Sequence, residues 1–211
     1  MFEEHGGLKG IISVPSVYNL VQLIAGARMY RARMVRDYIK PTEGCRILDV
    51  GCGTGEYVEF LDHYCSSYEY FGFDAEARYV AYGKRMFSDR PDIHFYHRVL
   101  SEDAIQEFNN FDIVLAIGVM HHMDNRIVLS LLRLAKKALR SAGRLVTYDP
   151  GKFSNMNRIE TFFVNHDRGR NIRFPEEYDQ LISQVFPTRK MYLPSLTYYP
   201  CRNVVFDCFN D

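Results

Sequence analysis

The sequence predicts an α/β domain in which a parallel sheet is covered by helices on both faces. Three observations carry this reading. Between Arg46 and Asp149, apolar runs of strand length alternate with segments of helical spacing. Runs such as "FDIVLAIGV" are apolar almost throughout, as strands buried on both faces are. A glycine-rich turn, "GCGTG" at 51–55, joins the first apolar run to the first helix of the alternation.

Each element has its own signal. Ser13 is placed to cap a helix with Pro15 in its first turn, running to about Ala25. A second helix, "ARMYRARMVRDYI", stops before Pro41. Arg28, Arg31, Arg33 and Arg36 are spread around it and read as a solvated basic surface. "RILDV" is a buried strand and "TGEYVEFLDHY" a helix. "YEYFGF" is a strand and "EARYVAYGKRMF" a helix. "IHFYHRV" is a strand, with a short helix from Glu102. "FDIVLAIGV" is a strand, and "NRIVLSLLRLAKKAL" a helix capped by Asp124, with Gly143 just past its end. "RLVTYD" is the next strand. Residues 151–173 are polar and irregular, with one helix around Met156 to Val164. "PEEYDQLISQVF" is a helix, and "TRKMYLPSL" and "RNVVFDCF" form a final antiparallel pair.

The bulk composition narrows the function. The 211 residues suffice for one domain with a sizeable core. Lys plus Arg, 26, equals Asp plus Glu, 26, so no overall charge favours nucleic acid or a membrane surface. The five cysteines are odd in number and contain no C-x-x-C, so neither a disulfide framework nor a zinc site is indicated. That suits a reducing cytoplasm. "MFEEHGG" lacks the basic start of a signal peptide. The apolar stretch 8–27 is interrupted by Lys9, Gly10, Pro15, Asn19 and Gln22, so it is not read as a membrane span.

The glycine turn departs from the dinucleotide pattern G-x-G-x-x-G, because Glu56 takes the sixth position and the third glycine, Gly55, comes early. Asp49 beside the turn would repel a pyrophosphate. S-adenosylmethionine has no phosphate; it carries an ammonium, a carboxylate and a sulfonium. Asp49 suits its cationic end, and the glycines Gly51, Gly53 and Gly55 let backbone approach it. Asp74, at the end of the second strand and 19 residues past Gly55, is placed to accept the ribose hydroxyls.

These residues resemble the class I S-adenosylmethionine-dependent methyltransferases. "LDVGCGTG" matches their first motif residue for residue, and "FGFDAEARYVAYGKR" looks like their second. "FDIVLAIGVMHHMD" and "LLRLAKKALRSAGRLVTYDP" resemble the fourth and fifth strands of small-molecule members. "VYNLVQLIAGA" and "DRGRNIRFPEEY" resemble bacterial members of unassigned substrate. The resemblance implies a three-layer, Rossmann-like fold. Its sheet would have seven strands in the order 3-2-1-4-5-7-6, with strand seven antiparallel. It implies one domain over 1–211: an N-terminal helical lid at 1–40, a cofactor-binding core at 41–150, and a lid segment, helix and edge hairpin at 151–211. Cofactor contacts are expected from Asp49, Gly51, Cys52, Gly53, Gly55, Asp74, Ala75, Ile117 and Gly118. The adenine-contacting acid that often ends the third strand is missing, and Leu100 or Val99 stands near its place.

Methyl transfer needs alignment of the acceptor, and a base only if the acceptor must lose a proton. His121 and His122 follow the fourth strand. The loop locally resembles phosphoethanolamine methyltransferases, in which a His works with an N-terminal Tyr; this implies His122, with Tyr18 as partner. The alternative is that the histidines only hydrogen-bond the loop. Asp149 faces the substrate side or begins the turn at Pro150. Arg168, Arg170 and Arg173 meet an anionic substrate or pair with Asp167, Glu176 or Glu177. One acid in "YDPGKFSN" gives no metal site. The expected partner is a small molecule, with methylation of protein or RNA, or a non-catalytic cofactor-binding module, as alternatives.

Overall fold

The computed structural model describes residues 26–194 and 201–211. The helix expected over Ser13 to Ala25, and Tyr18 within it, lie outside the described residues. Helix α1 (Ala27–Met34) continues into a π-helical turn, Val35–Ile39, closed by Lys40 N–H on Val35 O at 2.8 Å. Met34, Val35 and Ile39 are buried and fasten this segment to the sheet.

The alternation then follows in order: β1 (Cys45–Val50), α2 (Val58–Leu61), β2 (Tyr68–Asp74), α3 (Ala77–Met86), β3 (Ile93–His97), α4 (Glu102–Glu107), β4 (Phe111–Ile117), α5 (Asn125–Ala138), β5 (Leu139–Pro150). Helices α6 (Arg158–His166) and α7 (Pro175–Ser183) and the strands β6 (Arg189–Tyr192) and β7 (Asn203–Phe209) complete it. The seven strands lie in the order β3-β2-β1-β4-β5-β7-β6. Strands β1 to β5 are parallel, and β7 runs antiparallel to both β5 and β6. This is the Rossmann-like methyltransferase fold that the sequence implied.

Period-two alternation divides each buried strand between two cores. Ile47 and Tyr70 pack with α1, α2 and α3, while Leu48 and Phe71 pack with α4, α5 and α7. Caps set several helix starts. Asp124 accepts from Ile127 N–H at 2.9 Å, and Asn157 and Glu160 form a capping box on α6.

Three details differ from expectation. Only Val58–Leu61 of "TGEYVEFLDHY" is α-helical, because the chain first makes tight turns through 51–57. Gly143 is not a helix C-terminus: α5 ends at Ala138, and the bend falls at Ala142, where φ is 61°. Gly143 instead packs against a neighbouring strand, since a Cβ there would lie 2.8 Å from Phe111 O. Arg31 is not on the solvated face of α1: it is 8% exposed, while Arg28, Arg33 and Arg36 are open to solvent.

Candidate active site

A cleft of about 1040 Å³ opens at the carboxyl ends of β1, β2 and β4. Open α/β sheets bind ligands at that edge. One half is built by the glycine turn. Gly51, Cys52, Gly53, Asp74, Ala75, Leu100, Ile117 and Gly118 all line it, as does Asp49. Asp49 is 2% exposed and accepts a 2.7 Å hydrogen bond from the Tyr70 hydroxyl. Burial pushes its carboxyl up to about 7; the Tyr70 bond opposes this, and nearby Asp74 and Glu56 add to it. Asp74 accepts from Gly53 N–H at 2.8 Å and Glu76 N–H at 2.7 Å, one on each oxygen. Those bonds fix the carboxylate and leave lone pairs for two further donors, which suits a ribose. Burial raises the Cys52 thiol well above its ordinary value, so it sits there as an inert thiol.

Gly55 is not brought to the cleft. Its φ is 81°, and a Cβ would lie 2.4 Å from Cζ of Phe95. It is required for packing between the turn and β3.

The other half holds the histidines. Gly118 N–H bonds Tyr148 O at 2.6 Å, which steers the chain after β4 into a 3-10 turn at Met120–His122. The His121 side chain is buried at the cleft wall. Asp149 Oδ1 accepts from its backbone N–H at 3.0 Å and its Nδ1 at 2.7 Å. Asp149 therefore does not begin a turn; β5 runs on through Pro150. Burial raises the Asp149 carboxyl despite His121 and Arg173, and its Oδ2 has no hydrogen-bond partner among the described residues. On the far side of the imidazole, Nε2 is 3.5 Å from Asp167 Oδ1. The His122 ring also lines the cleft, more openly, with its centroid 4.0 Å from that of His121. Burial lowers its pKa, and His121 adds to the effect.

The loop after α6 clamps this arrangement. A Cβ on Gly169 would fall 2.0 Å from Cδ2 of His121, and Asn171 N–H bonds His121 O at 2.9 Å. Arg173, 6% exposed, does not line the cleft and pairs with no acid among the described residues. It donates to Met120 O, Met123 O, Asn171 O and Asn125 Oδ1 at 2.6–3.0 Å, and so holds the histidine turn in place. Arg168 lines the cleft with no acid in ion-pair contact among the described residues. Sequence reasoning misses Asp167 as a cleft-wall residue and Gly169 as the residue packed against His121, and it misses Arg31 and Glu56 in the wall as well. Only the unpatterned loop composition at 167–171 signals the first two, and they are distant in sequence from the histidines.

Among the described residues no group of three or more His, Cys, Asp or Glu side chains is placed to hold a metal ion. No helix among them is long and apolar enough to cross a membrane.

Residues 47–143 match a family model described as a methyltransferase domain. With the strand order and the cleft, this gives the chain a methyltransferase domain of the class I, S-adenosylmethionine-dependent fold. Among curated relatives, a tRNA U34 carboxymethyltransferase of Pseudoalteromonas translucida is 28% identical over 109 residues, which is 52% of this chain and 33% of that protein. Among solved structures, the S-adenosylmethionine-dependent methyltransferase SibL superposes with a TM-score of 0.73 at 14% identity, over 97% of this chain and 59% of SibL. The carbon methyltransferase CurJ superposes at 0.67 and 16% identity, over 92% and 58%. The chain thus spans less than two thirds of each.

Proposed function

We propose that this chain moves a methyl group from S-adenosyl-L-methionine to an oxygen or nitrogen of a small molecule, leaving S-adenosyl-L-homocysteine, with His121 as the general base. The observation that carries the reading is the buried His121–Asp149 contact of 2.7 Å, in the wall of the same cleft as Asp49, Gly53 and Asp74. Bound S-adenosylmethionine supplies a methyl group already activated on a sulfonium. The protein's tasks are to align an acceptor, exclude water and take a proton. Asp149 Oδ1 accepts from Nδ1–H, which leaves Nε2, on the side of Asp167, as the nitrogen that takes the acceptor's proton. His122, whose neutral form burial favours, is the second candidate, and Tyr18 its partner in that version.

Arg168 stands within electrostatic reach of His122 and of Tyr79, on the rim of the cleft. It supports an acceptor that carries an anionic group. The lid over that acceptor is assigned to 1–40, of which 1–25 lie outside the described residues, and to 151–175. Five buried free thiols support a cytoplasmic setting. The tRNA relative favours RNA as the alternative acceptor, and the zero net charge speaks against it.

The test is label transfer from methyl-labelled donor into fractionated cell extract, followed by variants on the labelled product. His121→Ala should slow transfer by about 10²–10⁴ with S-adenosylhomocysteine binding intact, and His122→Ala by only a few-fold. The reverse ranking moves the base to His122. Label recovered in RNA replaces the small-molecule reading, and binding with no labelled product leaves a non-catalytic module.

A further inference from the structure

Three tyrosines from three separate elements meet in the cleft wall. Tyr30 comes from α1, Tyr57 from the turns before α2, and Tyr148 from β5. The Tyr57 hydroxyl donates to that of Tyr30 at 3.0 Å. The Tyr148 hydroxyl is within hydrogen-bonding reach of Tyr30, and their ring centroids are 4.6 Å apart. The three rings pack with the core on the α1 side of the sheet. Tyr148 and Asp149 are consecutive in β5, so their side chains leave opposite faces. The phenols and the His121–Asp149 contact therefore bound the cleft from two sides.

Burial raises all three hydroxyls well above the ordinary phenol value, so they stay neutral. They do not serve as bases; they donate and accept hydrogen bonds. Three hydroxyls in a row use two protons between them. The third proton, at the Tyr148 end when the row runs from Tyr57, remains for a group outside the row.

The chemistry of attack decides what that group can be. A hydroxyl oxygen carries one proton and two lone pairs. His121 Nε2 can take the proton, the phenol row can hold one lone pair, and the other lone pair is left to face the methyl carbon. Two fixed contacts set the direction of attack, which is the alignment that a displacement needs. A neutral amine nitrogen has a single lone pair. If the phenol row held it, none would be left to attack. We propose that the Tyr57–Tyr30–Tyr148 row orients the reacting oxygen of an acceptor that is an alcohol or a phenol and not an amine, which rests on the transfer reading given above. In the step, the acceptor's O–H bond breaks and its proton goes to Nε2. The free lone pair forms the new O–CH3 bond, and the S–CH3 bond breaks with its electron pair left on sulfur.

Methyl-labelled S-adenosylmethionine and the extract fraction that takes up label test this on the full chain. Hot hydriodic acid should free the label as methyl iodide, as it does from methyl ethers, and mild alkali, which opens esters, should free none. Label that stays bound through hydriodic acid, as on nitrogen or carbon, or that leaves in mild alkali, overturns the assignment. Tyr148→Phe keeps the ring and removes the outward donor. It should lower kcat/KM for the labelled fraction by about three- to tenfold, with S-adenosylhomocysteine affinity by calorimetry unchanged. Tyr57→Phe leaves that donor in place and should lower kcat/KM by less than about twofold. Unchanged transfer by Tyr148→Phe, or an equal loss of S-adenosylhomocysteine affinity, also overturns the assignment. Wild type that labels no product overturns the transfer reading itself, and this assignment with it.

Discussion

The two halves of the cleft are built on different plans. The proposed donor half comes from consecutive chain: β1, the glycine turn and the end of β2 supply Asp49, Gly51, Gly53 and Asp74, tied by the parallel β1–β2 ladder and by the backbone N–H groups of Gly53 and Glu76 on the Asp74 carboxylate. The proposed acceptor half is assembled from afar. His121 follows β4, Asp149 ends β5, and Asp167, Gly169 and Arg173 come from the loop between α6 and α7. The first plan fixes a ligand common to many enzymes with a short, stiff motif. The second lets the acceptor pocket vary through loops while the sheet stays the same.

The largest expected effect falls on the acceptor half. Asp149→Asn keeps the size of the side chain but can present an amide N–H to Nδ1, and the imidazole then loses its enforced tautomer. Transfer should slow by about 10²–10⁴, or about 3–5 kcal/mol of barrier, while S-adenosylhomocysteine affinity stays within a few-fold. A loss of affinity equal to the loss of rate would mean that the two halves are not separable.

In the donor half the corresponding change is structural. Gly55→Ala adds a Cβ against the Phe95 ring in a left-handed conformation. Overpacking and backbone strain should together cost about 2–3 kcal/mol, read as a lower midpoint in denaturant with an unchanged slope. The folded fraction should bind S-adenosylhomocysteine normally, because Gly55 lies outside the cleft wall. Selective loss of binding without loss of stability would return Gly55 to the cofactor site.

What could be read in the sequence follows the same division. Alternating strands and helices, the glycine turn and Asp74 are local patterns, and the strand order came with the motif resemblance. Burial of Arg31 was not legible, because a basic helix gives no sign of which arginine faces inward until its packing face is known. Asp149 was left between the substrate side and the turn at Pro150, and its bond to His121 joins segments at the ends of adjacent strands, a register that composition does not encode. Arg173 was read for its charge, yet it serves four neutral oxygens, those of Met120 and Met123 around the histidine turn, Asn125 at the start of α5 and Asn171 in its own loop, which no local pattern predicts.

The smallest effect concerns what the donor half costs the protein when empty. The folded-state pKa of Asp49, about 7, lies above the ordinary 3.8, so the folded chain binds this proton more tightly than the unfolded chain does. Its contribution to stability is full below about pH 4 and is lost as pH rises through 7. Asp49→Asn removes the ionisation and can still accept from Tyr70. Without ligand it should be more stable than wild type by about 1 kcal/mol or more at pH 8, with little difference at pH 4, measured by denaturant unfolding at both. The gain should come with weaker S-adenosylhomocysteine binding at pH 8, since an ammonium beside an ionised Asp49 is then missing its partner. Wild-type affinity should itself rise between pH 5.5 and 7.5, because a bound cation favours the ionised carboxyl. Equal stability of the two proteins at pH 8 would mean that Asp49 ionises without penalty, and the donor half would then be no more strained than the rest of the sheet.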